Sequence, residues 1–315
     1  MDFEDLALFR AVVQCQSITR AARSFGMTQS TASRHLQRLE QRLGYPLLDR
    51  SSTPVAPTPR GQRLLQFAEV TLNRFDALLG ETRDPQDLRG ELRIAASSAP
   101  AMGPLGPWLS EFGRCFPAVH TRLSVMGSHA VEREVLAHHV GLGLMGSLPA
   151  DCCLDALPVS RDRIRLVVPA DAVEDEGGTV DPAWLALWSF VVRDEDSATW
   201  EIVQQRLREM GVPLPAEPAL VVDSAEGQMA AVRAGMGAAF VSEAVLRTEG
   251  VHAAIRVFDV EGVDLHRMLY LVSDAAHLMR DPLSFEFRRF VEARSTLGRG
   301  NASPSELSRG MVAQR

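Results

Sequence analysis

Residues 17–44 read SITRAARSFGMTQSTASRHLQRLEQRLG, two helical patterns separated by a glycine. Ser17 is placed to cap a short helix, and the apolar residues after it recur at the three- and four-residue spacing of one buried face. Gly26 interrupts this pattern, Thr28 is a second N-cap candidate, and Gly44 ends the second helix. The apolar stripe of that second helix consists of Ala32, Leu36, Leu39 and Leu43. We therefore predict a short helix, a tight turn and a longer capped helix.

The other face of the second helix carries side chains suited to reading DNA. Glutamine pairs with adenine, arginine pairs with guanine and serine pairs with either in the major groove, while the helix N-terminus favours phosphate. A solvated polar face is the alternative explanation of such a pattern. The predicted DNA-contacting residues on this helix are Thr28, Gln29, Ser30, Ser33, Arg34, Gln37 and Arg38.

The segment that follows contains Pro46, Pro54 and Pro57, which exclude a helix and favour a short two-stranded hairpin. Basic and hydroxyl side chains in or beside this hairpin are placed to hold the DNA backbone on either side of the groove. We predict these contacts at Arg50, Thr53, Thr58 and Arg60.

Charge is distributed unevenly along the chain. The 315 residues carry a net charge of −7, which taken alone argues against a nucleic-acid partner. Residues 17–63, however, contain eight arginines and only two acidic residues, a surplus of six positive charges that leaves −13 for the remainder. A small cationic unit attached to a large acidic body is typical of a DNA-binding module with a separate second function. The absence of lysine from the sequence is attributed to coding bias.

A long helix is predicted from Pro59, which suits the first helical position after Thr58, to about Leu88. A single apolar stripe on an otherwise polar helix must be covered, and a twin helix covers it most simply. We therefore predict a linker helix over residues 59–89 that dimerises as a coiled coil. The predicted contact residues are Leu64, Ala68, Leu72, Phe75 and Leu79.

After Gly90, short β-rich runs alternate with helical stretches, which favours an α/β fold with a mainly parallel sheet in two lobes. The predicted strands are 91–97, 119–125, 140–145, 163–169, 189–193, 219–223 and 267–273, and the predicted helices lie near 104–116, 128–139, 198–210, 224–234 and 281–295. The two lobes span residues 90–295. Residues 296–315 lack periodicity and are predicted to be a disordered tail.

Ligands of such domains bind beyond the carboxyl ends of the strands, near helix N-termini. Hydroxyl-bearing turns at helix starts hold a small anion through N–H and O–H donors, so we predict a small effector that carries a carboxylate. N-capping alone explains any single turn equally well, and Trp200 and Met145 either add an apolar wall or belong to the core. The predicted effector contacts are Ser97, Ser98, Ser128, Ser197, Thr199 and Asp223.

Residues 1–80 closely resemble the N-terminal domain of LysR-type transcriptional regulators. The matching positions are Phe9, 17–22, Thr28, Gln29, Ser33, Arg34, Leu39, Glu40, Leu43, Gly44, 47–50, Thr58 and Gly61. The remainder, to about residue 295, resembles the effector-binding domain of that family more loosely, at 91–97, 223–226 and 232–237. The resemblance implies a winged helix-turn-helix domain over residues 1–58, the linker helix, and two periplasmic-binding-protein-like lobes around a ligand cleft.

Six positions depart from the family pattern. Ser30, Leu48 and Pro57 replace a usual proline, phenylalanine and leucine, and none of them removes a donor needed for DNA. Gly141 and Gly143 stand in a strand where the family usually shows an acidic residue, and Ser242 replaces a usual proline. These last changes affect the effector chemistry rather than the fold.

The function implied by the resemblance is sequence-specific regulation of transcription, in which a small-molecule effector changes the binding or bending of double-stranded DNA. The resemblance also implies homodimers or homotetramers and admits RNA polymerase as a partner, and we expect no enzymatic activity, cofactor or metal. A solute-binding or enzymatic protein with an N-terminal assembly module, and a nucleoid-type architectural protein, are the rivals. The cationic segment and its polar helix face argue against the first, and the acidic remainder argues against the second.

No apolar run approaches the length of about 18–20 residues needed to cross a bilayer, and MDFEDLALFR lacks the features of a signal peptide. We therefore expect a soluble cytoplasmic protein without a membrane partner. Four cysteines without zinc-type spacing predict reduced thiols: Cys15, Cys115, Cys152 and Cys153. A redox pair between Cys115 and Cys152 or Cys153 is left open, and the adjacent His138 and His139 diverge too far to chelate a metal together.

Overall fold

The computed structural model describes residues 2–49, 54–81, 88–151, 153–174, 177–194, 196–214, 217–249 and 253–295. The predictions for Arg50, Thr53, Cys152 and the tail at 296–315 lie outside the described residues. On the linker helix the side chains of residues 70 and 73–81 are also outside that set. The predicted dimer contacts of Phe75 and Leu79 therefore remain predictions.

The N-terminal head has the predicted winged helix-turn-helix architecture. Its elements are α1 (Phe3–Cys15), α2 (Ile18–Ser24), α3 (Gln29–Leu43), β1 (Leu48–Asp49) and β2 (Ala56–Pro57), with β1 and β2 antiparallel. Ser17 caps α2 by accepting the N–H of Arg20, and Gly44 ends α3 in the left-handed conformation at φ 78°. Both caps were expected from the sequence, since serine and glycine are the residues that these positions favour.

The linker helix α4 (Pro59–Glu81) packs on α1 of its own chain. Leu64, Ala68 and Leu72 are buried in the core of the head, so the first half of the predicted dimer stripe is covered within the protomer. This burial could not be predicted from the sequence, because the spacing that fits a twin helix also fits the apolar surface of α1. Phe67, which is 52% exposed, lies on the uncovered face. Dimerisation through α4 stays a prediction, with Phe67 as an additional contact.

A single carboxylate on α3, the recognition helix, binds the wing, which is the β1–β2 hairpin. Oε1 of Glu40 accepts the backbone N–H of Leu47 at 2.8 Å and that of Leu48 at 3.3 Å. We expect Glu40→Ala to lower the free energy of unfolding by about 1.5–3 kcal/mol, because two part-buried N–H donors lose a charged acceptor. Urea unfolding would measure the loss. The exposed Glu69→Ala on α4 is the matched control, and equal effects of the two substitutions would contradict this role.

The C-terminal domain is α/β. Its strands are β3 (Gly90–Ala96), β4 (Val119–Val125), β5 (Leu142–Met145), β6 (Leu154–Pro169), β7 (Gly178–Val180), β8 (Val191–Arg193), β9 (Leu220–Val222), β10 (Ala239–Ser242), β11 (Ile255–Val260) and β12 (His266–Asp274). Its helices are α5 (Ser98–Pro100), α6 (Gly106–Cys115), α7 (Ser128–Leu136), α8 (Ala198–Glu209), α9 (Ala225–Arg233), α10 (Glu243–Glu249), α11 (Ala275–Leu278) and α12 (Pro282–Glu292). All seven predicted strands and five predicted helices are present.

One long strand joins the two predicted lobes. The main sheet has the order β4-β3-β5-β12-β6-β11-β7, with β10 also paired to β6, while β8 and β9 form a separate parallel pair. Lobe I contains β3, β4, β5, β12 and the first part of β6, which pairs with β12. Lobe II contains β7 to β11 and the last residues of β6, which pair with β10 and β11. The expectation of a mainly parallel sheet is wrong here, because β6 runs antiparallel to all three of these partners. Alternation of strands and helices along the sequence does not reveal a strand shared by two lobes.

The thiols also differ from expectation. Cys15 at the end of α1 forms a disulfide with Cys153, just before β6, while Cys115 is exposed and unbonded. The prediction of reduced thiols is wrong for this pair, and the redox pair left open involved Cys115 instead of Cys15. The pairing depends on the way the head packs against lobe I, a tertiary contact across 138 residues that cysteine spacing does not encode.

Candidate functional site

The structure exposes the polar face of α3 that the sequence assigns to DNA. Gln29, Ser30, Arg34, Gln37 and Arg38 are all exposed, and Ser33 is half-buried. The residues of α3 that are buried in the head are Ala32, Leu36 and Leu39. The helix therefore turns its apolar stripe inward and offers amide, hydroxyl and guanidinium groups outward, which is the arrangement needed to read base edges.

Two of the predicted DNA-contacting residues use their hydroxyls within the head. Thr28 caps α3, where its Oγ1 accepts the N–H of Thr31 at 3.2 Å. Thr58 Oγ1 donates to the carbonyl of Pro46 at 2.9 Å and accepts the N–H of Gly61 at 3.0 Å, so it fastens the wing to the start of α4. Both residues shape the DNA-binding surface, and direct contacts by them stay a prediction.

A narrow cleft lies where the two lobes meet. Its cavity volume of about 20 Å³ is enough for about one water molecule, so a larger ligand has to widen the cleft. The polar side chains around it come from both lobes: Ser97, Ser98, Ser128, Arg193, Ser197, Thr199, Gln228, Ser242 and Arg267. Five of the six predicted effector contacts are among them, whereas Asp223 is not.

Arg193 crosses the cleft from the end of β8. Its Nη1 donates to Ser98 Oγ at 3.1 Å and its Nη2 donates to the Asp223 carbonyl at 3.0 Å. Its Nε is buried and has no hydrogen-bond partner among the described residues. Burial lowers the pKa of the Arg193 guanidinium, but arginine stays charged in proteins. The site thus contains a positive charge with an unused donor, and Asp223 holds that arginine through its backbone.

A second arginine is anchored more tightly. Arg267 Nε donates to Asp162 at 2.9 Å and its Nη1 donates to Thr199 Oγ1 at 3.0 Å. Ser242 Oγ donates to the other oxygen of Asp162 at 2.8 Å. The ion pair is almost completely buried, with side-chain exposures of 6% for Arg267 and 3% for Asp162. Thr199 belongs to lobe II, whereas Arg267 lies on β12 of lobe I. This network therefore links the two lobes beside the cleft.

Three helices that begin near the cleft lack a side-chain cap among the described residues. Ser97 and Ser197 occupy N-cap positions of α5 and α8, yet neither side chain makes a capping hydrogen bond within the described residues. The N-cap of α7 is Gly127, which has no side chain to offer. Ser224, by contrast, caps α9 by accepting the N–H of Gly227. The N-termini of α7 and α8, whose partial positive charge favours anions, thus lie at this region, although the N–H of His129 in α7 already donates to the Asp196 carbonyl at 3.4 Å.

Four of the polar lining residues were not predicted as effector contacts: Arg193, Gln228, Ser242 and Arg267. Only Ser242 had been connected with the effector, as a departure from the family pattern. Arg193 ends a predicted strand, so the rule that ligands bind at carboxyl ends of strands was sufficient to find it. Arg267 begins its strand, and no local pattern distinguishes it from a surface arginine. Met145 is buried in lobe I, and Trp200 packs on Phe190 and Phe240, so both belong to the core.

Both parts of the chain match models of one protein family. The family model described as "Bacterial regulatory helix-turn-helix protein, lysR family" matches residues 3–62, and the one described as "LysR substrate binding domain" matches residues 85–295. The chain belongs to the LysR family. This LysR-type protein is therefore a transcriptional regulator with an effector-binding domain, and the enzymatic and architectural alternatives are set aside.

Two named relatives extend over most of this LysR-type chain. A "Probable RuBisCO transcriptional regulator" from Cyanidioschyzon merolae is 28% identical over 280 residues, which cover 86% of this chain and 91% of that protein. The "HTH-type transcriptional regulator CysL" from Bacillus subtilis is 26% identical over 270 residues, covering 85% of this chain and 90% of that protein. Both names describe regulators of transcription.

Solved structures share the fold at low identity. Full-length CbnR complexed with its target DNA has a TM-score of 0.55 and 21% identity, covering 94% of this LysR-type chain and all of that chain. The regulatory domain of Synechocystis CcmR in complex with 2-PG has a TM-score of 0.59 and 19% identity, covering 66% of this chain and 98% of that one. These likenesses show that the chain shares the fold of these structures.

Proposed function

We propose that this regulator binds a small organic anion in the cleft between its lobes, and that occupancy changes how its paired heads bind DNA. The observation that carries the proposal is the buried, unpartnered Nε of Arg193 beside uncapped helix starts. An anion bound there accepts a charge-assisted hydrogen bond from the guanidinium and meets the positive ends of α7 and α8. A carboxylate or a phosphate ester satisfies both groups.

Coupling to the lobes follows from the same contacts. Arg193 bridges from lobe II to Ser98 of lobe I, and Arg267 bridges from β12 to Thr199 of lobe II. A ligand that competes for these donors changes the bonds that hold the lobes together. Such a differential contact is what an effector requires in order to shift a conformational equilibrium.

Arg193→Met tests the anion site. We expect it to reduce the affinity for a bound anion by about 10- to 150-fold, corresponding to about 1.5–3 kcal/mol for a hydrogen bond to a charged group. Calorimetric titration with inorganic phosphate, 2-PG and shikimate at fixed ionic strength would measure it, since the last two are ligands of solved relatives. Arg208→Met, an exposed arginine on α8, is the control. Binding that is equally strong in both variants would contradict the site.

For DNA, we propose that α3 enters the major groove and that the wing and the start of α4 hold the backbone. The exposed polar face of α3 supports this mode, and a homodimer or homotetramer would present two such helices to an imperfect palindrome. RNA polymerase is a further proposed partner. Because the family model describes bacterial regulators and bacterial DNA lies in the cytoplasm, we place the protein's action there.

Arg34→Ala tests the reading of DNA bases. We expect a loss of about 1–3 kcal/mol on the specific site, roughly 5- to 150-fold in affinity, with relaxed base preference. Gel-shift titration with DNA upstream of the protein's own gene, against random DNA of equal length, would measure both quantities. Arg50→Ala should instead weaken all sequences similarly and reduce the salt dependence. An Arg34→Ala protein that retains full preference for the specific site would contradict the assignment.

A further inference from the structure

The head and lobe I are joined by a contact that neither DNA binding nor effector binding uses. Cys15, at the end of α1, is fully buried, and Cys153, before β6, is half-buried. Their Cα atoms are 5.5 Å apart, which lies within the separation that a disulfide spans without movement of the backbone. The bond connects the DNA-binding head directly to the effector-binding domain.

The surroundings of the pair show that α1 is docked at this place. Arg10 on α1 lies 3.7 Å from Asp155, two residues after Cys153. Glu4, at the other end of α1, lies 3.2 Å from Arg280. Ala276 of α11 is buried in the same apolar cluster as the core of the head. The disulfide thus lies within a packed interface, and that interface brings its two cysteines together.

We propose that Cys15 and Cys153 form a thiol–disulfide site, at which oxidised glutathione or a similar small disulfide fastens the head to lobe I. The thiolate of Cys153, the more accessible of the two, attacks the small disulfide and displaces one glutathione thiolate. The thiolate of Cys15 then attacks the Cys153 sulfur and displaces the second. Two protein thiols are oxidised, one small disulfide is reduced to two thiols, and the two protons pass to the released glutathione.

The disulfide limits movement of the head relative to lobe I, but it does not limit access of the head to DNA. The polar face of α3 is exposed while α1 is docked, so the bond does not cover the surface that reads bases. Without the bond, the head is held by one largely buried ion pair (Arg10–Asp155), one exposed ion pair (Glu4–Arg280) and a small apolar contact, and an interface of this size permits movement between domains. With the bond, opening of the interface requires reduction, so the state of the two thiols sets whether the heads can reorient.

The experiment uses the full-length protein equilibrated in reduced or oxidised glutathione. Mass spectrometry of peptides prepared without reductant should show the Cys15–Cys153 link in oxidising buffer only. Backbone hydrogen exchange in α1 should be at least tenfold slower in the oxidised protein than in the reduced one. The absence of the linked peptide, or equal exchange of α1 in the two states, would overturn the proposal.

Matched variants separate the pair from the other thiols. Cys153→Ser should abolish the linked peptide and make exchange of α1 independent of the buffer, whereas Cys115→Ser and Cys152→Ser should behave as the unmodified protein does. Cys15→Ala should have the same effects as Cys153→Ser. Alanine is chosen at this position because Cys15 is buried, where a serine hydroxyl would disturb folding. A linked peptide that involves Cys115 or Cys152 in place of Cys153 would contradict the assignment.

Discussion

Replacing Arg267 by methionine is expected to lower the free energy of unfolding by about 3–5 kcal/mol. The reason is the burial of Asp162, whose side chain is only 3% exposed and whose counter-charge is Arg267. Ser242 still donates to one oxygen of Asp162 in the variant, but a hydroxyl dipole does not replace a guanidinium. Urea unfolding of the full-length protein, followed by circular dichroism, would measure the loss.

Two further variants identify burial as the cause of this effect. Arg206→Met removes an exposed pair with Glu209, 3.5 Å away, and should change stability by less than about 1 kcal/mol. The double variant Arg267→Met/Asp162→Leu should recover part of the loss, since it leaves no unpaired buried charge. If Arg267→Met lowers the free energy of unfolding no more than Arg206→Met does, the buried network does not stabilise the cleft.

The second large effect is expected at Gly143, in the strand where the family pattern usually shows an acid. The structure places this glycine in the packing of lobe I, not in the cleft lining as its link to effector chemistry implied. A Cβ atom there would lie 2.6 Å from a methyl group of Val131 and 2.9 Å from methyl groups of Val135 and Val272. Gly143→Asp forces these side chains apart, at about 1–3 kcal/mol, and buries a carboxylate, which adds several kcal/mol. We expect a loss of at least about 4 kcal/mol and a protein that folds poorly.

Gly143→Ala isolates the steric part and should destabilise by about 1–3 kcal/mol in the same unfolding assay. Gly113→Asp on α6 is the control for the substitution itself, because a Cβ at that glycine meets no atom within 4 Å. A Gly143→Asp protein as stable as Gly113→Asp would show that lobe I accommodates the acid of the family pattern. The departure from the family pattern would then have no packing cause.

The head could be predicted from the sequence almost entirely, because its determinants are local. Ser17, Thr28 and Gly44 mark helix ends by their own backbone preferences, and the stripe of α3 follows from the helical period. The cleft could be predicted in part: the turns at Ser97 and Ser197 were found by the rule for strand ends. Whether they cap or stay free was settled only by the structure, which shows no capping bond at either among the described residues.

What the sequence could not reveal depends on contacts between distant segments. Arg267 and Asp162 are 105 residues apart and meet only because β6 and β12 pair. Cys15 and Cys153 meet only because α1 docks on lobe I. Leu64 and its neighbours serve the head because α1 presents an apolar surface, which a periodic stripe does not distinguish from a twin helix. Non-local packing is the common cause of these differences.

The most direct test of the central claim is selection of duplexes from a random-sequence library by the full-length protein at physiological salt. Paired heads that each place α3 in the major groove predict an enriched inverted repeat, with half-site centres separated by about 10–11 base pairs or a multiple of that. Substituting the bases of one half-site should then reduce affinity by about 1–3 kcal/mol per position. Retention of duplexes with no common sequence, or equal affinity for selected and unselected DNA, would contradict the account.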